Sequence, residues 1–282
     1  MRYHGSKYRL AEFIQGFFPR HHTYVEPFGG GAGVLINKLR SKSEVYNDAD
    51  GDIVNFFRVL QNKNNSAELM RLLAVTPYAR NEFDLACKAG HQECNNVVER
   101  ARRTLIRAQM AFGSAGATEG GAGFRTDTAR SSTPAQLWAA YPPFVEQFRV
   151  RLQGVVIENR AALDVIAAHD RPDTLFFCDP PYVHGTRSTT RAYRHEMTEA
   201  DHIALLDALK SADGMVVLST YENPIYTAHL KGWERHQSYA SISGRLGSIR
   251  KIETLYLNPA CAAQQYNPDF FSQQQPLNGG RR

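Results

Sequence analysis

Residues 174–178, Thr-Leu-Phe-Phe-Cys, run apolar without alternation and stop at Asp179-Pro180-Pro181-Tyr182. A short strand with no polar face must be covered on both sides, the condition of an interior strand in a parallel sheet flanked by helices. Similar brief β-prone runs stand at residues 23–25, 44–47, 155–157 and 215–218. Helical spacing falls at 34–39, 52–60, 161–168, 199–210 and 224–230. Strand and helix therefore alternate at both ends of the chain, which predicts an α/β fold. Between about 61 and 150 only helical patterns occur, at 67–73, 80–88, 97–111 and 134–152. The expected division is a discontinuous sheet domain, 1–60 and 153–282, interrupted by a mainly helical insertion, 61–152. Residues 233–241 and 252–257 are expected to end the sheet as a hairpin. Five glycines in the eleven residues 113–123 predict a mobile loop. The Gln/Asn/Gly-rich tail from 264 is expected to fray.

Composition narrows the function classes. Apolar residues make up 43% and charged residues 22%, ordinary values for a globular chain. No run of ~18 apolar residues occurs, and Met1-Arg2-Tyr3-His4-Gly5 has no signal-peptide core. A cytoplasmic protein without a membrane partner is expected. Lys and Arg exceed Asp and Glu by 33 to 28, and a net charge of +5 fits a polyanionic partner. The cysteines at 87, 94, 178 and 261 lack zinc-site spacing and read as reduced thiols. No metal is expected.

Two turns at predicted strand ends carry the chemistry. Glu26-Pro27-Phe28 leads into Gly29-Gly30-Gly31-Ala32-Gly33, and a glycine turn at a strand's carboxyl end lets the backbone approach a ligand. The dinucleotide fingerprint GxGxxG fails, since Val34 or Ile36 stands where its third glycine belongs. Asp48 closes the next strand, 17 positions beyond Gly31, where a carboxylate can accept two ribose hydroxyls. An adenosine-type ligand without a pyrophosphate fits, although a purely structural glycine turn gives the same pattern. The second turn is Asp179-Pro180-Pro181-Tyr182. Two prolines fix two φ angles and remove two amide donors, so the neighbouring carbonyls are aimed rigidly. An acid, a carbonyl and an aromatic ring suit capture of a planar exocyclic amine.

With those motifs the sequence resembles the DNA adenine-N6 methyltransferases of the Dam type, the D12 class with its DPPY tetrapeptide, in their prophage-like branch. The likeness covers most of the chain. Tyr3-His4-Gly5-Ser6-Lys7 is similar to the family's N-terminal motif at the methionine end of S-adenosylmethionine. The stretch from Glu26 to Gly33 is similar to its cofactor loop, Asn47-Asp48 to its ribose-binding strand end, and Ile157-Glu158-Asn159 to the strand end flanking the cofactor adenine. Tyr193-Arg194-His195 also matches, as do Pro77-Tyr78-Ala79-Arg80-Asn81-Glu82-Phe83 and the helix carrying Arg100, Arg102, Arg103 and Arg107. The resemblance implies a Rossmann-like, class I S-adenosylmethionine-dependent sheet whose helical insertion reads DNA.

It also implies roles. Asp179, Pro180, Pro181 and Tyr182 would be catalytic, with the Asp179 carboxylate and the Pro180 carbonyl accepting the adenine N6 hydrogens and Tyr182 stacking on a flipped base. Tyr3, Lys7, Glu26, Phe28, Gly29, Gly31, Gly33, Asp48, Asn159 and Asp179 would hold S-adenosylmethionine. Two acid-free basic stretches suggest phosphate contacts from Arg187, Arg191, Arg194, Arg245 and Arg250, joined by Arg80 and Arg103. Arg125 is the candidate reader of guanine. His195 reads equally as a proton acceptor or phosphate contact and as a structural cap. The expected partner is double-stranded DNA. A monomer is compatible with the sequence, and a restriction nuclease alongside it is left open. Competing readings are methylation of cytosine N4 or of RNA, an idle DNA-binding remnant, and a nicotinamide oxidoreductase, the last disfavoured by the failed fingerprint.

Overall fold

The computed structural model describes residues 6–88, 94–112, 123–127, 132–183, 194–244 and 247–265, with backbone alone for 240–244, 247–251 and 265. Seven strands form one sheet: β1 (Thr23–Glu26), β2 (Ser43–Asn47), β3 (Val155–Glu158), β4 (Thr174–Cys178), β5 (Met215–Tyr221), β6 (Glu234–Gly244) and β7 (Gly247–Leu257). Their order is β3-β2-β1-β4-β5-β7-β6. The first five strands are parallel, and β7 enters antiparallel between β5 and β6. The final hairpin was legible in the sequence. The glycine-rich residues 113–122 and the tail from 266 lie outside the described residues.

Successive residues of the central strands serve opposite faces, as the period of two requires. Tyr24, Leu175, Phe177 and Val217 point into one core. Val25, Phe176, Cys178 and Val216 point into the other. That double burial is why β4 carries no polar face. The second core is covered by α8 (Ala162–His169), α9 (Glu199–Ser211) and α10 (Pro224–His229). On the first lie α1 (Ala11–Gln15), α2 (Gly51–Gln61) and α11 (Pro259–Gln265), together with α3 (Lys63–Val75), α4 (Arg80–Lys88), α5 (Val97–Met110), α6 (Pro134–Ala139) and α7 (Pro142–Leu152). Leu69, Phe83, Leu105, Trp138 and Val145 of these inserted helices share one buried cluster with Tyr46 and Phe57. The described residues of 61–152 hold helices α3 to α7 and a bridge between Ala111 and Phe124, and their core is continuous with the sheet's.

Two local expectations are corrected. Residues 34–39 are a series of turns rather than a helix. Side chains take both backbone groups of Leu35: its amide donates to Glu26 Oε1 at 2.7 Å, and its carbonyl accepts from Arg151. The Leu35 amide is thereby drawn to Glu26, and the bonds on either side of it, Ile36 to Ala32 and Lys38 to Val34, do not join into a helix. The predicted single helix over 134–152 is two, α6 and α7, split at Ala140-Tyr141. Pro142 has no amide to donate, and its ring clashes with the carbonyl four residues back, so α6 must end before it.

The arginines of α5 turn inward. Asp52, fully buried on α2, accepts Arg100 Nε at 2.6 Å and Arg107 at 3.0 Å. Arg102 and Arg103 are held by Glu99, and Arg102 also by Glu82. The Asp52 pairs fasten α5 to the strand-end helix α2, and the Glu82 pair ties α5 to α4.

Candidate active site

Strand order reverses between β1 and β4, and open parallel sheets bind ligands beyond the carboxyl ends of strands at such a point. A cavity of about 310 Å³ opens there. Gly29 and Gly31 line it together with Asp179 and Pro181, and Phe28 and Leu163 add apolar surface.

The glycine turn is strapped to the end of β2. The Gly29 amide donates to the Asn47 carbonyl at 2.7 Å, the Gly30 amide to Asp48 Oδ2 at 2.7 Å, and the Tyr46 hydroxyl to the Gly30 carbonyl at 2.7 Å. A Cβ on Gly29 would lie 2.1 Å from the Tyr46 ring, so only glycine fits. A Cβ on Gly33 would come within 2.8 Å of Ser6 Oγ and the Tyr8 nitrogen. Glycine there lets the 3-10 turn Lys7–Arg9 close over the site. Asp48 accepts one backbone amide on each oxygen, from Gly30 and Asp50. Each oxygen keeps a lone pair for a further donor. Burial raises the Asp48 carboxyl to about 6 and the Glu26 carboxyl to about 7.

Asp179 is gripped from the N-terminal segment. Lys7 Nζ lies 2.8 Å from both Asp179 oxygens and also donates to the Tyr182 hydroxyl. That hydroxyl donates to Glu253 Oε1 at 2.6 Å, and the Tyr182 ring packs 4.3 Å from the ring of Tyr221. Burial pushes the Asp179 carboxyl up to about 6; Lys7 opposes the shift and Glu253 adds to it.

Most of the expected cofactor residues meet at this cavity: Lys7, Glu26, Phe28, Gly29, Gly31, Gly33, Asp48 and Asp179 all line it. Tyr3 lies outside the described residues. Asn159 does not line it. Its amide donates to the carbonyls of Asp48 and Ala49, and it borders an adjoining cavity of about 1080 Å³. Of the tetrapeptide, Asp179 and Pro181 form the wall, while Pro180 is buried and Tyr182 is 4% exposed behind it. The expected open stacking face of Tyr182 is therefore turned inward in this arrangement.

The expected DNA contacts fare less well. Arg194 lines the cavity with His195, but its guanidinium is paired with Asp50 at 2.8 Å and Asp52 at 3.3 Å. Arg103 is held by Glu99. Arg125 is 7% exposed, and its carbonyl accepts the Tyr78 hydroxyl. Arg80 is exposed, its guanidinium 5.0 Å over the Phe124 ring. Arg187, Arg191 and Arg245 lie outside the described residues, and Arg250 is described only as the β7 partner of Ser241. No group of His, Cys, Asp and Glu suited to a metal occurs among the described residues.

Sequence reading missed Glu253, Ser219 and Tyr221, which complete the site from β5 and β7. The one available signal was an acid inside the β-prone run 252–257.

Residues 3–243 match the family described as D12 class N6 adenine-specific DNA methyltransferase. Type II methyltransferase M1.LlaDCHI of Lactococcus lactis subsp. cremoris is 26% identical over 254 residues, 84% of this chain and 86% of that protein. The DNA N-6-adenine-methyltransferase of Escherichia phage P1 is 24% identical over 74% of this chain, a match taking up 27% of the phage protein. Among solved structures, the rRNA methyltransferase AviRa from Streptomyces viridochromogenes aligns over 91% of this chain and 87% of its own, at 14% identity and a TM-score of 0.42. The family match runs through the glycine turn, the helical region and the tetrapeptide alike, and the chain therefore belongs to the D12 class of N6 adenine-specific DNA methyltransferases.

Proposed function

We propose that this enzyme takes S-adenosylmethionine as methyl donor and modifies the N6 amine of an adenine flipped out of double-stranded DNA, with Asp179 at the reacting end of the cavity. One observation carries the reading: Gly31 and Asp179 line a single cavity at the switch point. The residues present suit the cofactor. Gly29 admits no side chain beside the turn, the Asp48 oxygens keep acceptor capacity for ribose hydroxyls, and Phe28 and Leu163 offer apolar surface to an adenine ring. When bound, S-adenosylmethionine supplies an electrophilic methyl group on a sulfonium.

The adenine N6 lone pair is delocalised into the ring, so the amine is a weak nucleophile. The Asp179 carboxylate and the Pro180 carbonyl each accept one N6 hydrogen and favour a pyramidal nitrogen. The proline pair holds those acceptors fixed, and alignment of this kind can lower a barrier by ~7–11 kcal/mol. Asp179 can take the N6 proton after transfer, when the nitrogen has become acidic. Stacking of Tyr182 on the base requires its ring to leave Tyr221 when DNA binds.

Flipping costs a few kcal/mol, and phosphate contacts must offset it. Arg103 and Arg194 are paired with acids and Arg125 is 7% exposed, so among the expected arginines with described side chains Arg80 is the exposed one. Arg187, Arg191, Arg245 and Arg250 are candidates by sequence position. The helices of 61–152 serve as the target-reading unit, and the enzyme acts in the cytoplasm of a bacterium or phage-infected cell.

The test is label transfer from radioactive S-adenosylmethionine to DNA, RNA and DNA lacking adenine. Label should enter adenine-containing duplex DNA. Label in RNA or at cytosine refutes the substrate assignment. Asp179→Ala should abolish turnover while cofactor affinity stays within about tenfold, and near-normal transfer by that variant refutes the assigned role.

A further inference from the structure

Glu253 reaches the catalytic tetrapeptide from β7, 71 positions from Tyr182 in sequence. It is 2% exposed, and a carboxylate so enclosed is costly unless paired. Its Oε1 accepts the Tyr182 and Ser219 hydroxyls, each at 2.6 Å, and stands 3.6 Å from Lys7 Nζ. Lys7 itself donates to both oxygens of Asp179. On the reading that Asp179 accepts the adenine amine, the incoming N6–H competes with Lys7 for one of those oxygens, and Oδ1 already accepts the Tyr182 hydroxyl as well. The displaced ammonium is only 6% exposed, so water cannot readily compensate it. Glu253 is a second carboxylate already within ion-pair reach. The Tyr182 hydroxyl lies between them, accepting from Lys7 and donating to Glu253. A short shift of Lys7 along that hydroxyl exchanges one counter-ion for the other without exposing an unpaired charge.

We propose that Glu253 is a positioning residue for methyl transfer: it receives the Lys7 ammonium when the target amine engages Asp179, and it holds Tyr182 by its hydroxyl meanwhile. The alternative is a purely structural acid that fastens β7 to β5 through Ser219.

A double-mutant cycle on the full chain separates the two. Glu253→Gln preserves shape and an acceptor oxygen but removes the charge. Methyl transfer to adenine in duplex DNA is followed in single turnover, so that slow variants remain readable, alongside cofactor titration and thermal melts. In the wild-type background Glu253→Gln should slow transfer about 30-fold, with KM for DNA and cofactor affinity changed less than about threefold. In a Lys7→Gln background, where no ammonium needs receiving, the same substitution should cost less than about threefold. Equal losses in both backgrounds, or an unchanged rate in Glu253→Gln alone, overturn the proposal. If Glu253→Gln melts early, Glu253→Asp takes its place in the cycle. It keeps the charge but draws it back from Lys7, and it too should slow transfer only where Lys7 is present; equal losses with and without Lys7 overturn the proposal again. Wild-type turnover keeps the layers apart. A wild type that does not methylate adenine sinks the underlying reading and this role with it, whereas a competent wild type with an additive cycle sinks the Glu253 role alone.

Discussion

Asp179 must be ionised to accept its amine hydrogen as a carboxylate, yet its surroundings hold the carboxyl up at about 6 instead of 3.8. Burial dominates, Lys7 opposes it, and Glu253 adds to it. The expected outcome is an acid limb in kcat/KM centred near pH 6, with activity falling about tenfold per unit below it. A pH–rate profile flat down to the ordinary aspartate range would contradict the role. Glu26 permits a companion test on stability. Folding raises its carboxyl from 4.5 to about 7, chiefly by desolvation. The native state therefore holds a proton that the unfolded chain has already released. Stability falls as pH rises through that window and levels above the folded value. Glu26→Gln keeps an oxygen for the Tyr24 hydroxyl and the Leu35 amide but cannot titrate. Between pH 4.5 and 7 the wild type should lose on the order of 3 kcal/mol relative to the variant, readable from urea midpoints at a series of pH values.

Among the elements, those defined by their own residues were legible and those defined by distant partners were not. β4 announced itself because an apolar run of five can only be an interior strand. α4 matched its predicted bounds, and α5 starts where Asn96 caps the amides of Val98 and Glu99. Residues 34–39 have helical spacing, but Glu26 and Arg151 claim Leu35 from far along the chain. Pro142 and Pro143 did mark the break between α6 and α7, a local signal that apolar spacing outweighed. The helix with Arg100, Arg102, Arg103 and Arg107 was legible as similar to the family's DNA-reading insertion, but sequence shows charges and not their partners. Asp52 is that hidden partner, collecting Arg100, Arg107 and Arg194. Asp52→Asn keeps the volume and removes the charge, leaving the Arg107 guanidinium buried without its anion. Losses of about 3–5 kcal/mol follow when one member of a buried pair is removed. Calorimetry should show that fall, and a melting point within a degree or two of wild type would mean the cluster holds little.

At the scale of the molecule, the cofactor turn and the catalytic turn were legible as motifs, and their meeting in one cavity follows from a sheet order that sets β1 beside β4. The support behind Tyr182 was not legible, since Glu253 arrives only when β7 inserts beside β5 and Tyr221. The same long-range assembly decides how the chain unfolds. Tyr46 at the end of β2 and Phe57 on α2 lie in one buried cluster with Leu69, Leu105 and Trp138 of the inserted helices. Buried ion pairs cross the same boundary at Asp52. A target-reading unit that folded alone would unfold alone, giving two calorimetric transitions. A continuous core predicts one, with calorimetric and van't Hoff enthalpies in a ratio of about 1. Replacing residues 62–152 by a short linker should then yield no folded remainder, because the apolar faces of β2 and α2 would lose their cover. Two separated transitions, or a truncated protein that still binds S-adenosylmethionine, would show that the helices are docked on the sheet and not built into it.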